Sequence, residues 1–275
     1  MQRNYSLAYL TSCQVAPPEA MQLAADHGYQ QVGFRLLPNM PGAPQQFMID
    51  RPEVLRETLA VQKATGVKVL DLEIIRIGEG FDPKLYAPLF EVGAALGAQA
   101  VLIAGDDSDE ARLAESYARL SAVMRPYSLT ADLEFMPWTA VKDVKTARRV
   151  IAAAGHPANA GILVDALHFG RSTTTLEDIR AIPRELLHYA QICDAQAGLN
   201  FSTEEMIHTA RSERLLAGEG NIDVKGLFAA LPQDLPVSVE VVHFERMAQH
   251  GQRAWAHICL DNAIATLEPQ PTAAA

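Results

Sequence analysis

The stretch Gly161-Ile-Leu-Val-Asp-Ala-Leu-His168 places a carboxylate, Asp165, at the end of a short apolar run, with an imidazole three residues later. A carboxylate at such a place needs a cation or several donors as partner. The pattern recurs in Asp132-Leu-Glu134, in Tyr189-Ala-Gln191 and in Val237-Ser-Val-Glu240. Side chains alternate along a strand. With Glu134, Asp165, Gln191 and Glu240 on one face, Leu133, Phe135, Ile162, Val164, Ala190, Ile192, Val239 and Val241 all fall on the other. Three acids converging on one mouth repel unless a cation sits among them. Hard oxygen donors without a thiolate suit Mn²⁺ or Mg²⁺. Three solvated acids beside a structural glutamine are the bland alternative, and the spacing leaves both open.

These four ends need a frame. Strands are expected at Leu7–Thr11, Gln31–Leu36, Val67–Ile75, Ala100–Ala104, Asp132–Met136, Gly161–Asp165, Leu187–Ile192 and Val237–Val241. Helices are expected between them at Glu19–His27, Pro52–Thr65, Pro83–Leu96, Glu110–Met124, Val141–Ala154, Leu176–Ile182 and Val224–Ala230, and a closing helix at Arg246–Leu267. Pro in a first turn and Gly just after a last one, as at Pro52 and Gly66, mark the helix limits. A Pro/Gly/Asn loop runs to Pro44, and a long excursion over Ala195–Asn221 carries one further helix and a Gly-rich turn. Eight strand–helix alternations predict an α/β fold, a single-domain (β/α)8 TIM barrel over residues 1–267, with a Pro/Ala tail at 268–275. An open dinucleotide-binding sheet would carry a Gly-rich loop after its first strand. Gly218-Glu-Gly220 comes too late and lacks a third glycine.

Composition bounds the partners. The chain has 275 residues, 49% of them hydrophobic, and a formal net charge of −10. An acidic chain is a poor counter-ion for phosphate backbones and anionic membranes, so a small molecule is the expected partner, with no nucleic acid and no membrane. Cys13, Cys193 and Cys259 are too few and too scattered for a disulfide framework. No apolar signal segment follows Met1-Gln-Arg-Asn-Tyr, and the expected location is cytoplasmic.

Glu134, Asp165, Gln191 and Glu240 sit in LEFMPWT (133–139), VDALHFGRS (164–172), AQICDA (190–195) and VSVEVV (237–242), with RLLAGEGNID (214–223) between the last two. Together these resemble the metal set of the sugar phosphate isomerase/epimerase superfamily, the xylose-isomerase-like barrels, over nearly the whole chain. The resemblance implies a divalent-metal isomerase or epimerase acting on a keto-sugar or related hydroxy-carbonyl compound. Glu134 and Glu240 would move the proton through a metal-stabilised enediolate. It also admits a dehydratase of the 3-dehydroshikimate type, and homo-oligomers are common in the group. Two departures stand out. The usual ligand at position 191 is His, and Pro137-Trp138-Thr139-Ala140 replaces a glutamate that the keto-sugar 3-epimerases carry. The first departure keeps a metal-free ligand-binding barrel in play. The endonuclease IV branch needs further His ligands where this chain has Arg35 and Glu73-Ile-Ile-Arg76.

By the same resemblance His168 contacts a substrate oxygen, and Arg214 reaches into the mouth, where a guanidinium can hold a carboxylate or phosphate in two places. Glu73 lies at inward parity on its strand, for a substrate hydroxyl or for an ion pair with Arg35 or Arg76. Trp138 is placed to wall an apolar face of the ligand, and Arg171 is a further candidate for an anionic group.

Overall fold

The computed structural model describes residues 3–38 and 45–268. Eight parallel strands close into a barrel in sequence order. They are β1 (Tyr5–Leu7), β2 (Gln31–Arg35), β3 (Lys68–Ile77), β4 (Ala100–Gly105), β5 (Thr130–Glu134), β6 (Ala160–Asp165), β7 (Ala190–Ile192) and β8 (Val237–Val239). Closure runs through β1 against β8, with Tyr5, Ser6 and Leu7 opposite Val237, Ser238 and Val239. Outside the strands lie α1 (Pro17–His27), α2 (Pro52–Thr65), α3 (Ala87–Leu96), α4 (Glu110–Met124), α5 (Val144–Ala153), α6 (Ala166–Gly170), α7 (Leu176–Arg180), α8 (Thr203–Ser212), α9 (Val224–Ala230), α10 (Phe244–His250) and α11 (Gln252–Leu267). None of the described helices is long and apolar enough to cross a membrane.

Strand alternation divides the apolar residues into two cores. Outward residues such as Leu133, Ile162, Val164, Ile192, Val237 and Val239 pack against the helices. Each buried side chain of this size contributes roughly 1.5–3 kcal/mol. A second cluster fills part of the barrel interior: Leu70, Ile74, Ala100, Leu102, Ala104, Met136, Leu163 and Tyr189. It lines mainly β3 to β6, and the interior along β7, β8, β1 and β2 is polar instead. Two inward glycines make room for carboxylates on neighbouring strands. A Cβ on Gly33 would sit 2.7 Å from an oxygen of Asp71, and one on Gly161 would collide with Asp132 and with the ring of His188. Asp132 is itself held by Thr130 Oγ1 at 2.5 Å and His188 Nδ1 at 2.7 Å.

Several expected limits shift, each for a local reason. The first strand is Tyr5–Leu7, and Leu10–Ser12 forms a 3-10 turn. Thr11 leaves the ladder because its hydroxyl donates to Val239 O and accepts from Val241 N, both at 2.7 Å, which ties the end of β8. The fifth strand stops at Glu134, ahead of Pro137, which has no N–H for a ladder. The next helix starts at Val144, where Asp143 accepts from Thr146 N at 2.8 Å. Gly251, at φ 77°, splits the closing helix into α10 and α11. Pro83–Tyr86 is a 3-10 turn ahead of α3. Parts of the loop to Pro44 (39–44) and of the tail (269–275) lie outside the described residues.

Candidate active site

Glu134 and Asp165 are the last residues of β5 and β6, Gln191 is the middle residue of β7, and Glu240 follows β8 directly. All four are buried, so one barrel mouth gathers the whole expected set. Asp165 also starts α6. Its Oδ1 accepts from the backbone N–H of Leu167 at 2.7 Å and of His168 at 3.3 Å. That cap turns the chain and brings the His168 ring over the mouth, with Nε2 3.5 Å from Glu134 Oε1. The ring of Trp138 meets His168 edge-on, centroids 4.9 Å apart.

Arg214 comes from the excursion after β7. Asp194 fixes that segment: its carboxylate accepts from the N–H groups of Gly218, Gly220 and Ile222. Backbone bonds between Asp194 and Leu215, and from Arg214 N to Val242 O at 2.7 Å, complete the anchor. The guanidinium is thereby aimed inward. Its Nη1 lies 2.6 Å from Asp165 Oδ2, its Nη2 2.8 Å from Glu240 Oε2, and its Nε donates to Ala210 O at 3.0 Å. Gln191 Nε2 donates to the other Glu240 oxygen at 3.0 Å.

These contacts separate the three carboxyls electrostatically. Burial pushes Glu134 well above the usual carboxylate range, and the Asp165 charge adds to it. Burial does the same to Glu240 and outweighs the pull of Arg214. Burial also acts on Asp165, but there Arg214 and His168 win, and its carboxyl is held below the ordinary value. Burial lowers the His168 imidazole to about 4, so the ring is neutral near pH 7. Carboxyls whose environments drive their pKa values apart are the mark of an acid–base site.

The donor set also fits a divalent cation. One ligand atom from each of Glu134, Asp165 and His168 lies within 4.8 Å of the other two. Glu240 is not in that group, and Arg214 and Gln191 hold its two oxygens. Gln191 Oε1 is buried and finds no partner among the described residues, which leaves it as an acceptor open to an ion or a water. Carboxylate, amide and imidazole donors suit a divalent ion.

The remaining candidates divide. Glu73 forms a buried ion pair with Arg35 at 2.6 Å, and both line the cavity over the site. Arg171 lies outside that lining. It stacks on Phe201 at 4.0 Å and donates to Gln196 O at 3.0 Å. The cavity is small, about 50 Å³, and four arginines border it: Arg35, Arg76, Arg211 and Arg214. Arg211 is new to the site. It sits in the last turn of α8, next to the end of the helix from which the chain runs on to Arg214.

No protein of curated function matches the chain by sequence. Among solved structures, the fold is similar to the IOLI protein with a bound zinc atom, at 17% identity and TM-score 0.79, covering 96% of this chain and 98% of that one. It is similar to the probable 3-DHS dehydratase AsbF of Bacillus anthracis, at 12% identity and TM-score 0.74, covering 97% and 100%. It is also similar to the D-allulose 3-epimerase of Methylomonas sp. in complex with D-allulose, at 16% identity and TM-score 0.67, covering 96% and 97%. At these identities the likeness is one of fold, which the closed eight-stranded barrel already displays. The match that reaches the sequence itself is to a family, and it spans residues 21–258: the chain belongs to the xylose isomerase-like TIM barrels.

Proposed function

We propose that this protein is an enzyme that removes a proton next to the carbonyl of a small, anionic hydroxy-carbonyl compound, assisted by a divalent ion. The carrying observation is the arginine border of a cavity whose floor holds Glu134 and Glu240, two carboxyls of raised pKa. Glu134, Asp165, Gln191 and Glu240, with His168 beside them, would hold the ion. When bound, it would supply Lewis acidity at the substrate carbonyl.

In this reading the substrate carboxylate meets Arg211 beside Arg76, which Asp106 orients through two bonds of 2.7 Å, Trp138 walls one face of its carbon skeleton, and neutral His168 positions a hydroxyl. One of Glu134 and Glu240 takes the proton from carbon as a carboxylate. Two outcomes then branch. If the other, protonated, gives its proton to a β-hydroxyl, that group leaves as water and the product is an unsaturated keto acid. If the proton returns to a neighbouring carbon or to the other face, the product is an isomer or epimer. Dehydration of a hydroxylated cyclic keto acid is the first reading, because Arg211 and Arg76 stand at the border of the cavity; Arg35 and Arg214 already answer Glu73, Asp165 and Glu240. The D-allulose 3-epimerase among the similar folds keeps epimerisation as the second reading.

Glu240→Gln tests the assignment. With Mn²⁺ present, wild type should convert a hydroxylated cyclic keto acid to a product with new ultraviolet absorbance. The variant should fold, bind the acid and turn over at less than about a thousandth of the rate, the order expected for a lost acid–base group. Full activity in folded Glu240→Gln removes that residue from the mechanism. Deuterium uptake into recovered keto-sugar, without loss of water, selects the epimerase reading.

A further inference from the structure

The polar side of the barrel interior carries a row that runs from the candidate active site to the opposite mouth. Gln191 is paired in register with Ser238, Ser238 with Ser6, and Ser6 with Gln31. Their strand neighbours Ala190, Ile192, Val237, Val239, Tyr5, Leu7 and Val32 belong to the outer core, so all four point inward. Each has a buried side-chain atom with no hydrogen-bond partner among the described residues: Gln191 Oε1, Ser238 Oγ, Ser6 Oγ and Gln31 Oε1. Barrel interiors are ordinarily filled by branched apolar side chains. A buried polar atom left unpaired costs about 1–3 kcal/mol, so four in one row call for a common partner.

Water meets that need. Neighbouring strands lie about 4.8 Å apart, and one water accepting and donating at ~2.8 Å spans roughly that gap between two side-chain oxygens. The ends of the row differ. Gln191 bonds Glu240 in the candidate site. Gln31, the first residue of β2, lines a cavity of about 550 Å³ together with the exposed Gln30, Lys68 and Gln99, so that end meets solvent. Asp71 and Tyr189 also present buried, unpartnered oxygens to the interior.

We infer that this row is a water-filled conduit through the barrel, by which the candidate site exchanges water with solvent at the N-terminal mouth. The C-terminal mouth, drawn in to about 50 Å³ around the carboxyls, gives such a route its use. That use rests on the proton-abstraction reading above. The existence of the conduit does not.

The test needs no substrate. An atomic-resolution crystal structure should show about three ordered waters between Gln191 and Gln31, one for each adjacent pair. Water-¹⁷O magnetic relaxation dispersion then measures their residence time. Gln31→Leu, at the far end from the candidate site, should lengthen it by about tenfold or more, an added barrier of ~1.4 kcal/mol. Ser6→Val combined with Ser238→Val should expel the waters altogether, and if that double variant does not fold, Gln31→Leu alone decides. A dry row overturns the inference. So do ordered waters whose residence time is unchanged in Gln31→Leu, since they would be isolated rather than connected. Either result leaves the reading of the carboxyl site intact.

Discussion

The Nη1 atom of Arg214 lies 2.6 Å from Oδ2 of Asp165, and both side chains are sealed from solvent. The same guanidinium reaches Glu240 at 2.8 Å, so one cation braces acids from two strands. Removing one partner of a buried ion pair leaves the others charged and unsolvated, at a cost of about 3–5 kcal/mol. Arg214→Met should therefore lower the unfolding free energy of EDTA-treated protein, read by urea denaturation, by that order. Arg214→Lys, which cannot reach both acids in parallel, should fall between. A variant as stable as wild type means that the brace contributes nothing.

Gln191 offers a neutral carbonyl where an imidazole would bind a divalent ion more strongly. Gln191→His should tighten Mn²⁺ by roughly tenfold, about 1.4 kcal/mol, and Gln191→Ala should weaken it. The rise in melting temperature with added Mn²⁺ reads both changes, because a ligand of the folded state alone stabilises by mass action. Asp165→Asn is the control and should show no shift. Equal Mn²⁺ affinity in all three Gln191 proteins would falsify ligation by this residue.

Stability should fall on the acid side through His168. Burial holds its folded pKa near 4, against 6.5 for the free side chain. Between those values the unfolded chain binds the extra proton. The contribution is thus fully present above pH ~6.5 and lost as pH drops to about 4, up to about 3 kcal/mol in all. His168→Gln should flatten that part of the stability curve in metal-free protein. Parallel wild-type and variant curves between pH 4.5 and 7 would show that the ring carries no such penalty.

Asp71 predicts the opposite slope. Burial raises its pKa well above the usual value, with Glu73 and Asp132 adding to it, and neither of its oxygens has a partner among the described residues. The folded state keeps a proton that the unfolded state has already released. The stabilising contribution is complete below pH ~4 and shrinks as pH rises. Asp71→Asn keeps the shape without the ionisation, so it should melt higher than wild type at pH 8, with the gap closing toward pH 4. A lower melting temperature for Asp71→Asn at every pH rules this out.

Much of this was legible in the chain, because local signals carry helices and parity. α2, α4 and α9 fall at their expected limits, where Pro52 with Gly66, and the Asp109 and Asp223 caps, state them. Strand alternation put Glu134, Asp165, Gln191 and Glu240 on one face without any tertiary information. What it could not carry is contact across the fold. The ion pairs of Arg214 span a fixed excursion, and that excursion is held by Asp194, a residue with no spacing signature of its own. Thr11 looked like strand because the run before it, Leu7 to Leu10, is apolar, and only its bonds to the end of β8 explain why it leaves the ladder. The short helix α6 went unseen because Asp165, read as a strand-end acid, is also its cap.

The two inward glycines bear on how this chain can vary. Any side chain at Gly33 runs into the carboxylate of Asp71, and any at Gly161 into Asp132 and His188. Shortening either aspartate alone opens a void in a packed interior, and enlarging either glycine alone forces a collision. Gly33 with Asp71, and Gly161 with Asp132, are therefore linked in substitution. An Asp→Asn exchange keeps the size and leaves each pair intact, but a drifting sequence can change the size of one member only by changing the other with it.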